Sequence, residues 1–570
     1  MLRVILLVIC IATALQSKAQ ALKKPDTYCN PMDISYRFRP DTPSRREAAD
    51  PTIVLFKNKY FLFASKSGGY WASDDLKSWQ FLTNNTLPWE AYAPTAVVIG
   101  DELYFLASGS TIYKTSDPVL GNWVKCGQIP IHVIDPCLFL DDDKRLYLYY
   151  GSSSKEPLKA VEIDYNNGFS FIGTPIPTIY SNAKEHGFEH GGNENTGNGN
   201  PYMEGSWINK HDGKYYLQYA APGTQYKSYA DGVYESTNPL GPFTYATHNP
   251  FSYKPSGFIA GAGHSNTFQD KYGNYWHVST MVISVKHIFE RRLGLFPAGF
   301  DKDGIMQVFT GFGDYPFLIP DKKIDNVEAL FKGWMLLSYN KPVTVSSTLD
   351  TVKYKPIFSV DEDIKTYWSA STGNKGEWLM VDLQGKPTIN AMQINFAEQD
   401  TKTLGRPEVQ AGYQYVVEYS NDKQNWHTVI DQSTINEDRT HPYFQLQKPI
   451  KAAYIRVMNI ATPDGKFAIS GLRVFGKANA PLPKAFTDFT IIRQPEDKHR
   501  VKLSWEKVDG ATGYNVRYGI ASDKLYSNYI VNGKTALDIR SLNTNNSYWF
   551  TVDVFNEAGV SKPGKVVKVE

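Results

Sequence analysis

Between about residues 45 and 310, short apolar runs alternate with polar turns at a regular beat. Five times a small motif opens a strand-like run that passes through a turn into an aromatic strand. The motifs are Ala49-Asp50-Pro51, Ala93-Pro94, Ile134-Asp135-Pro136, Met203-Glu204-Gly205 and Gly263-His264-Ser265. The aromatic strands that follow include Tyr60-Phe61-Leu62-Phe63, Tyr104-Phe105-Leu106, Leu146-Tyr147-Leu148-Tyr149, Tyr215-Tyr216-Leu217 and Tyr275-Trp276-His277-Val278. The turns between them, such as Lys57-Asn58-Lys59 and His211-Asp212-Gly213, hold residues that accept hairpin backbone angles. Outer strands recur as Tyr70-Trp71-Ala72-Ser73, Tyr113-Lys114-Thr115-Ser116 and Tyr234-Glu235-Ser236. Four short strands repeated five times predict a five-bladed β-propeller, with no long helical periodicity competing.

Beyond residue 326 the motif stops and simple alternation takes over, as in Trp378-Leu379-Met380-Val381-Asp382-Leu383 and Tyr454-Ile455-Arg456-Val457. Such alternation predicts antiparallel sandwiches. The expected fold is all-β: a five-bladed β-propeller over 22–325, followed by two β-sandwich domains over 326–478 and 479–570. Val360-Asp361-Glu362-Asp363, Glu418-Tyr419-Ser420-Asn421-Asp422 with Trp426, and Ile469-Ser470-Gly471-Leu472-Arg473-Val474-Phe475-Gly476 resemble the discoidin-like (coagulation-factor type C) domain, a fold that serves as a carbohydrate-binding module. In that family a glutamate near the last strand helps to hold calcium; Gly471 stands in its place here, and Trp368 and Trp426 read as core. Leu503-Ser504-Trp505, Gly513-Tyr514-Asn515-Val516-Arg517-Tyr518 and Tyr548 resemble fibronectin type III, read as a spacer after the linker Ala478-Asn479-Ala480-Pro481-Leu482-Pro483.

Arg3, an apolar run over 4–15 and small residues to Ala21 read as a signal peptide over 1–21, too short to span a bilayer. The expected product is secreted, periplasmic or on the cell surface, without a membrane span, and a monomer. Cleavage would leave Cys29, Cys126 and Cys137, an odd count without zinc-site spacing; inert thiols are expected, with room for one disulfide. A net charge of +2 with interspersed signs speaks against nucleic acid as a partner. Tyr, at 37 residues, and Trp, at 12, suit both β-sheets and sugar stacking, so composition alone does not choose between them.

In a propeller the innermost strands line the central channel, so the five motifs converge on one mouth, placing Asp50, Ala93, Asp135, Glu204 and His264 together. Three acids and a histidine in one ring are costly as structure and point to chemistry. Glycoside hydrolysis needs one protonated and one ionised carboxyl group. Glu204, beside Met203 and Gly205-Ser206-Trp207, is the candidate acid; Asp50 is the candidate base; Asp135 adds negative charge that keeps Glu204 protonated and orients it. Arg291 or Arg292 is expected to pair with Asp50 or Asp135.

The segment from about 28 to 315 resembles glycoside hydrolase family 43. The carriers are the motifs of Asp50, Asp135 and Glu204, Gly261-Ala262-Gly263-His264-Ser265, and Arg291-Arg292-Leu293-Gly294-Leu295-Phe296-Pro297. The resemblance implies Asp50 as general base, Glu204 as general acid and Asp135 as modulator of its pKa. It also implies Arg291 rather than Arg292 as the site arginine, and His264 as the holder of a calcium through water in the channel. Trp207 is expected to support the site or meet substrate, and no cofactor is required. The implied activity is inverting, exo-acting removal of α-L-arabinofuranose or β-D-xylose from plant-type polysaccharide side chains, with galactose or galactofuranose as the alternative sugars. A non-catalytic glycan-binding protein is the rival class, and leaves three acids in register unexplained. Two loops are expected at the mouth: 181–200, with His186 and His190, and 28–47, with Tyr36, Arg45 and Arg46 as sugar contacts.

Overall fold

In the computed structural model, residues 25–405, 412–485 and 488–570 are described. Residues 1–21, read from the sequence as a signal peptide, lie outside them. Among the described residues there is no α-helix, only three short 3-10 turns, and no helix is long and apolar enough to cross a membrane.

Five antiparallel sheets follow one another along the chain, four of them four-stranded and the fourth in order five-stranded. Their innermost strands are Ala49–Phe56, Thr95–Ile99, Cys137–Leu140, Glu204–His211 and Ala260–Gln269. Each of these lies beside the next, and the last lies beside the first, so the sheets close as five blades around one axis. Blade 1 and blade 5 are each complete. The ring is therefore joined by side-chain bonds, such as Asn266 Oδ1 accepting from the Ile53 amide at 2.9 Å. It is also strapped by the segment before blade 1, where Asn30 exchanges hydrogen bonds with the Leu295 backbone of blade 5.

The motifs do not simply open the inner strands; they kink them. Asp50, Ala93, Asp135, Gly205 and His264 all lie at positive φ, between 45° and 69°. In blades 1, 4 and 5 the ladder register breaks at this point, as at a bulge. A left-handed turn there swings the side chain toward the axis, at a cost of about 1–3 kcal/mol for a residue other than glycine. This corrects the sequence register in blade 4. The equivalent of Asp50, Asp135 and His264 is Gly205, and Glu204 stands one residue before it.

Residues 335–477 form a sandwich of two sheets. One orders Met335–Leu336, Ala468–Lys477, Thr388–Phe396 and Tyr443–Lys451; the other orders Val343–Val345, Trp378–Asp382, Tyr454–Ala461, Gln414–Ser420 and His427–Asp431. Trp368 is fully buried in its core, while the Arg456 guanidinium covers the Trp426 ring at 3.9 Å. A smaller sandwich packs Phe489–Gln494, Asp497–Trp505 and Ala536–Ile539 against a sheet ordered Ser527–Asn532, Gly513–Gly519, Tyr548–Asn556 and Gly559–Val560.

The three units share cores, which corrects the reading of the smaller sandwich as a spacer. One apolar cluster runs from Tyr147 and Leu217 of the propeller to Val516 and Phe550. Another joins Trp276 to Phe475 and Phe555. The Tyr253 and Tyr529 hydroxyls meet at 2.9 Å across the boundary. Gly471 is where it is because Phe258 of the propeller lies on it: a Cβ there would stand 2.7 Å from that ring.

Several residues of the two loops expected at the channel mouth are taken up in other contacts, while Glu47, at the end of the second loop, reaches Arg291 at 2.7 Å. His186 is buried, bonded to Glu189 at 2.8 Å and stacked on Tyr245 at 3.6 Å. The amide of the next residue, Gly187, donates to Leu542 of the smaller sandwich, and His190 meets His499 edge-on. His186 is thus buried and His190 half-buried. Tyr36 is fully buried, Arg45 pairs with Asp41, and Arg46 pairs with Glu398 and Asp438 of the first sandwich. Polar loops were expected outside; here they are the mortar between domains.

Candidate active site

Asp50, Asp135, His264 and Arg291 converge at one end of the axis, with exposures of only 5%, 6%, 8% and 3%. Four of the five kinked backbones are held by a side chain of another blade. The Asp50 amide donates to Thr280 Oγ1 at 2.7 Å, the Ala93 amide to Ser65 Oγ at 2.6 Å, and the Asp135 amide to Ser108 Oγ at 3.1 Å. The His264 amide donates to Asp231 Oδ1 at 2.8 Å. Ser65, Ser108 and Thr280 stand at or beside the ends of second strands, one blade back from the amide they hold. This second repeat is written in the sequence as Ala64-Ser65, Ala107-Ser108 and Ser279-Thr280, and the motif reading passed over it.

Gly205 has a specific reason. A Cβ built on it would lie 2.8 Å from His264 Cγ. Blade 4 gives up its kinked side chain so that the imidazole of blade 5 can occupy the ring. His264 Nδ1 then lies 3.3 Å from Asp50 Oδ1 and 3.8 Å from Asp135 Oδ2.

The three carboxyl groups differ in surroundings. Asp50 Oδ2 accepts from Ser65 at 2.6 Å, and Oδ1 accepts from Arg291 at 3.2 Å. Burial works against its charge, but Arg291 and His264 outweigh burial and hold the carboxyl below its usual range. Arg291 is held in turn by Glu47 at 2.7 Å and Thr224 at 3.2 Å. Arg292, the other candidate, points away and donates to His441 of the first sandwich at 2.8 Å.

Glu204 Oε1 accepts from the Tyr229 hydroxyl at 2.5 Å, and Oε2 from Ser152 at 3.3 Å. Burial raises the Glu204 carboxyl, and the Asp50 charge raises it further against the pull of His264. Burial also pushes Asp135 up to about 7, with Glu204 and Asp50 adding to the rise. Asp50, more than Asp135, is thus the charge that keeps Glu204 protonated. His264, at the centre, is raised because the carboxylates outweigh its burial.

Trp207 donates its indole N–H to the Thr267 carbonyl at 3.1 Å and ties blade 4 to blade 5. Tyr229, Ser152, Glu47 and Thr224 are the site neighbours that the motifs did not reveal, because they lie in connecting segments or at strand ends outside the repeat.

Oxygen or nitrogen atoms of Asp135, Glu204 and His264 fall within 4.8 Å of one another, the one such cluster among the described residues. Calcium takes six to eight oxygens. The oxygens offered here are two carboxyl groups biased toward the protonated form, beside an imidazole biased toward its cation, which has no free lone pair. These residues do not fit a metal bound directly, and the chemistry is derived without one.

Comparison with known proteins places the chain. Residues 44–306 match the family of glycosyl hydrolases family 43, and residues 342–470 match the F5/8 type C domain. A beta-xylosidase of Xylanibacter ruminicola is 29% identical over 154 residues, covering 23% of this chain and 42% of that protein. An arabinoxylan arabinofuranohydrolase of Paenibacillus polymyxa is 28% identical over 197 residues, covering 31% of this chain and 29% of that protein. The chain thus spans less than half the length of either relative. A solved glycoside hydrolase structure aligns over 75% of this chain and 97% of its own, at 18% identity and a TM-score of 0.45. The stretch that builds the five-bladed ring with its acids is thus similar to glycosyl hydrolases family 43 over residues 44–306, and the first sandwich to the F5/8 type C domain over residues 342–470.

Proposed function

We propose that the protein is a glycosidase that removes terminal sugars by single displacement, with Asp50 as base and Glu204 as acid. One observation carries this: within one buried ring, one carboxyl is held down by Arg291 and His264 while another is held up by burial. That split is the division of labour that hydrolysis of a glycosidic bond requires. Asp50 takes a proton from water as it attacks the anomeric carbon. Glu204 gives its proton to the departing oxygen. Asp135, biased toward its neutral form and beside His264, orients the acid and the sugar.

Exo action is supported by the low exposure of Asp50 and Asp135, which leaves access for an end group rather than a mid-chain sugar. The names of the two relatives support α-L-arabinofuranose or β-D-xylose as that end group. Plant-type polysaccharide side chains are the proposed substrate. The leader-like first residues support export. No cofactor enters the proposed reaction, and a monomer is proposed. The smaller sandwich is proposed as fibronectin type III-like, supported by its two antiparallel sheets of three and five strands.

Proton NMR of the first-formed sugar from aryl arabinofuranoside or xyloside tests the mechanism. Inversion is expected. Initial release of the anomer matching the substrate would overturn single displacement, and a double displacement would then be required.

A further inference from the structure

The Gly261-Ala262-Gly263 stretch ahead of His264 serves more than the histidine. A Cβ on Gly263 would stand 2.8 Å from the Tyr229 ring, and the Ala262 amide donates to the Tyr229 carbonyl at 2.9 Å. Blade 5 therefore clamps Tyr229 by ring and backbone, and Tyr229 is itself fully buried. Its hydroxyl has one acceptor, Glu204 Oε1, at 2.5 Å. On the other side Glu204 Oε2 meets the Ser152 hydroxyl at a longer 3.3 Å, and that hydroxyl lies 3.2 Å from the hydroxyl of Tyr202, a residue 43% exposed. One oxygen of Glu204 is thus closed by a rigid donor, and the other faces the open side.

From this geometry we infer that Tyr229 is a positioning residue that assigns the acid proton of Glu204 to Oε2 and stabilises the carboxylate left when that proton departs. The inference rests on Glu204 being the acid. An oxygen already accepting a short hydrogen bond is the poorer site for a proton, so the proton resides on Oε2. As it passes to the glycosidic oxygen, negative charge develops on Glu204, and the bond from Tyr229 strengthens with it. Tyr229 keeps its own proton throughout: burial and the nearby carboxylates hold its hydroxyl well above the usual tyrosine range. The same bond lowers the Glu204 carboxyl against burial, so its removal moves the loss of the acid proton to higher pH.

The experiment compares wild type, Tyr229→Phe and Glu204→Gln on aryl glycosides graded by leaving-group acidity, with kcat/KM followed against pH. General acid catalysis contributes roughly 100-fold to 10,000-fold, and one supporting bond a part of that. For Tyr229→Phe the expected loss is about tenfold or more on poor leaving groups and under about threefold on the best. Its alkaline limb should move upward in pH. Equal losses on all leaving groups, or an unmoved limb, would overturn the inference. If Glu204→Gln also shows no dependence on the leaving group, the assignment of the acid fails instead. Gly263→Ala, which displaces the tyrosine ring and keeps its hydroxyl, should reproduce the leaving-group dependence and serves if Tyr229→Phe does not fold. Losses from Gly263→Ala that are equal across leaving groups would likewise overturn the inference.

Discussion

Replacing Glu398 with Gln should loosen the first sandwich from the propeller, although Glu398 belongs to neither site nor sugar. Glu398 is buried at the boundary. It accepts from Arg46 Nε at 2.8 Å and from Thr440 at 3.1 Å, and lies 3.9 Å from Arg292. Arg46, Arg292 and Lys286 hold its carboxyl below the ordinary range despite burial. Its stabilisation is therefore present at neutral pH and is lost as pH falls below that range. Removing one partner of a buried ion pair costs about 3–5 kcal/mol. Asp438 still faces Arg46, and an amide oxygen can still accept from it, so the low end, about 3 kcal/mol, is expected. His441 gives Arg292 no compensating charge, since burial, with Arg292 and Arg46 beside it, keeps that ring well below its usual pKa. Three kcal/mol is roughly a hundredfold more of the opened state. Cleavage of that state by a low dose of protease should accelerate about as much at pH 7 when opening and closing are fast. A rate within twofold of wild type would refute the reasoning and make the two domains energetically independent.

Three further outcomes are expected. Gly205→Ala, whose new methyl would meet His264 at 2.8 Å in a backbone at φ +69°, should lower kcat at least tenfold, read on an aryl glycoside with circular dichroism as the check on folding. The kcat/KM profile should hold steady into the acid, because Asp50 is kept ionised there, and should fall on the alkaline side, where the raised carboxyl groups of Glu204 and of Asp135, pushed up to about 7, lose their protons; a steep loss already between pH 6 and pH 4 would contradict it. Arg291→Lys should cost more in kcat than in KM, since one ammonium cannot span Glu47 and Asp50, which the guanidinium meets with separate nitrogens; a pure KM effect would place Arg291 on the substrate instead.

Much of the site was legible because a propeller repeats. A motif at the head of each inner strand lands on one ring whatever the loops do, so Asp50, Asp135 and His264 could be brought together from spacing alone. Glu204 was found by its motif but put in the wrong register, since Gly205 has no side chain to announce that it is the kinked residue.

The sequence by itself determined the strand periodicity, the order of the units and the acids that share a register, because alternation and turn chemistry act within a few residues of the chain. Only the tertiary structure decided which groups carry charge and what the polar loops do. Arg291 and Arg292 are adjacent and chemically alike, yet strand alternation turns one to Asp50 and the other to the neighbouring sandwich. His186 and Arg46 read as loop residues at the channel mouth, yet both are buried. The pKa order of the three carboxyl groups follows from burial and from charges brought together across hundreds of residues, distances over which a linear pattern carries no information.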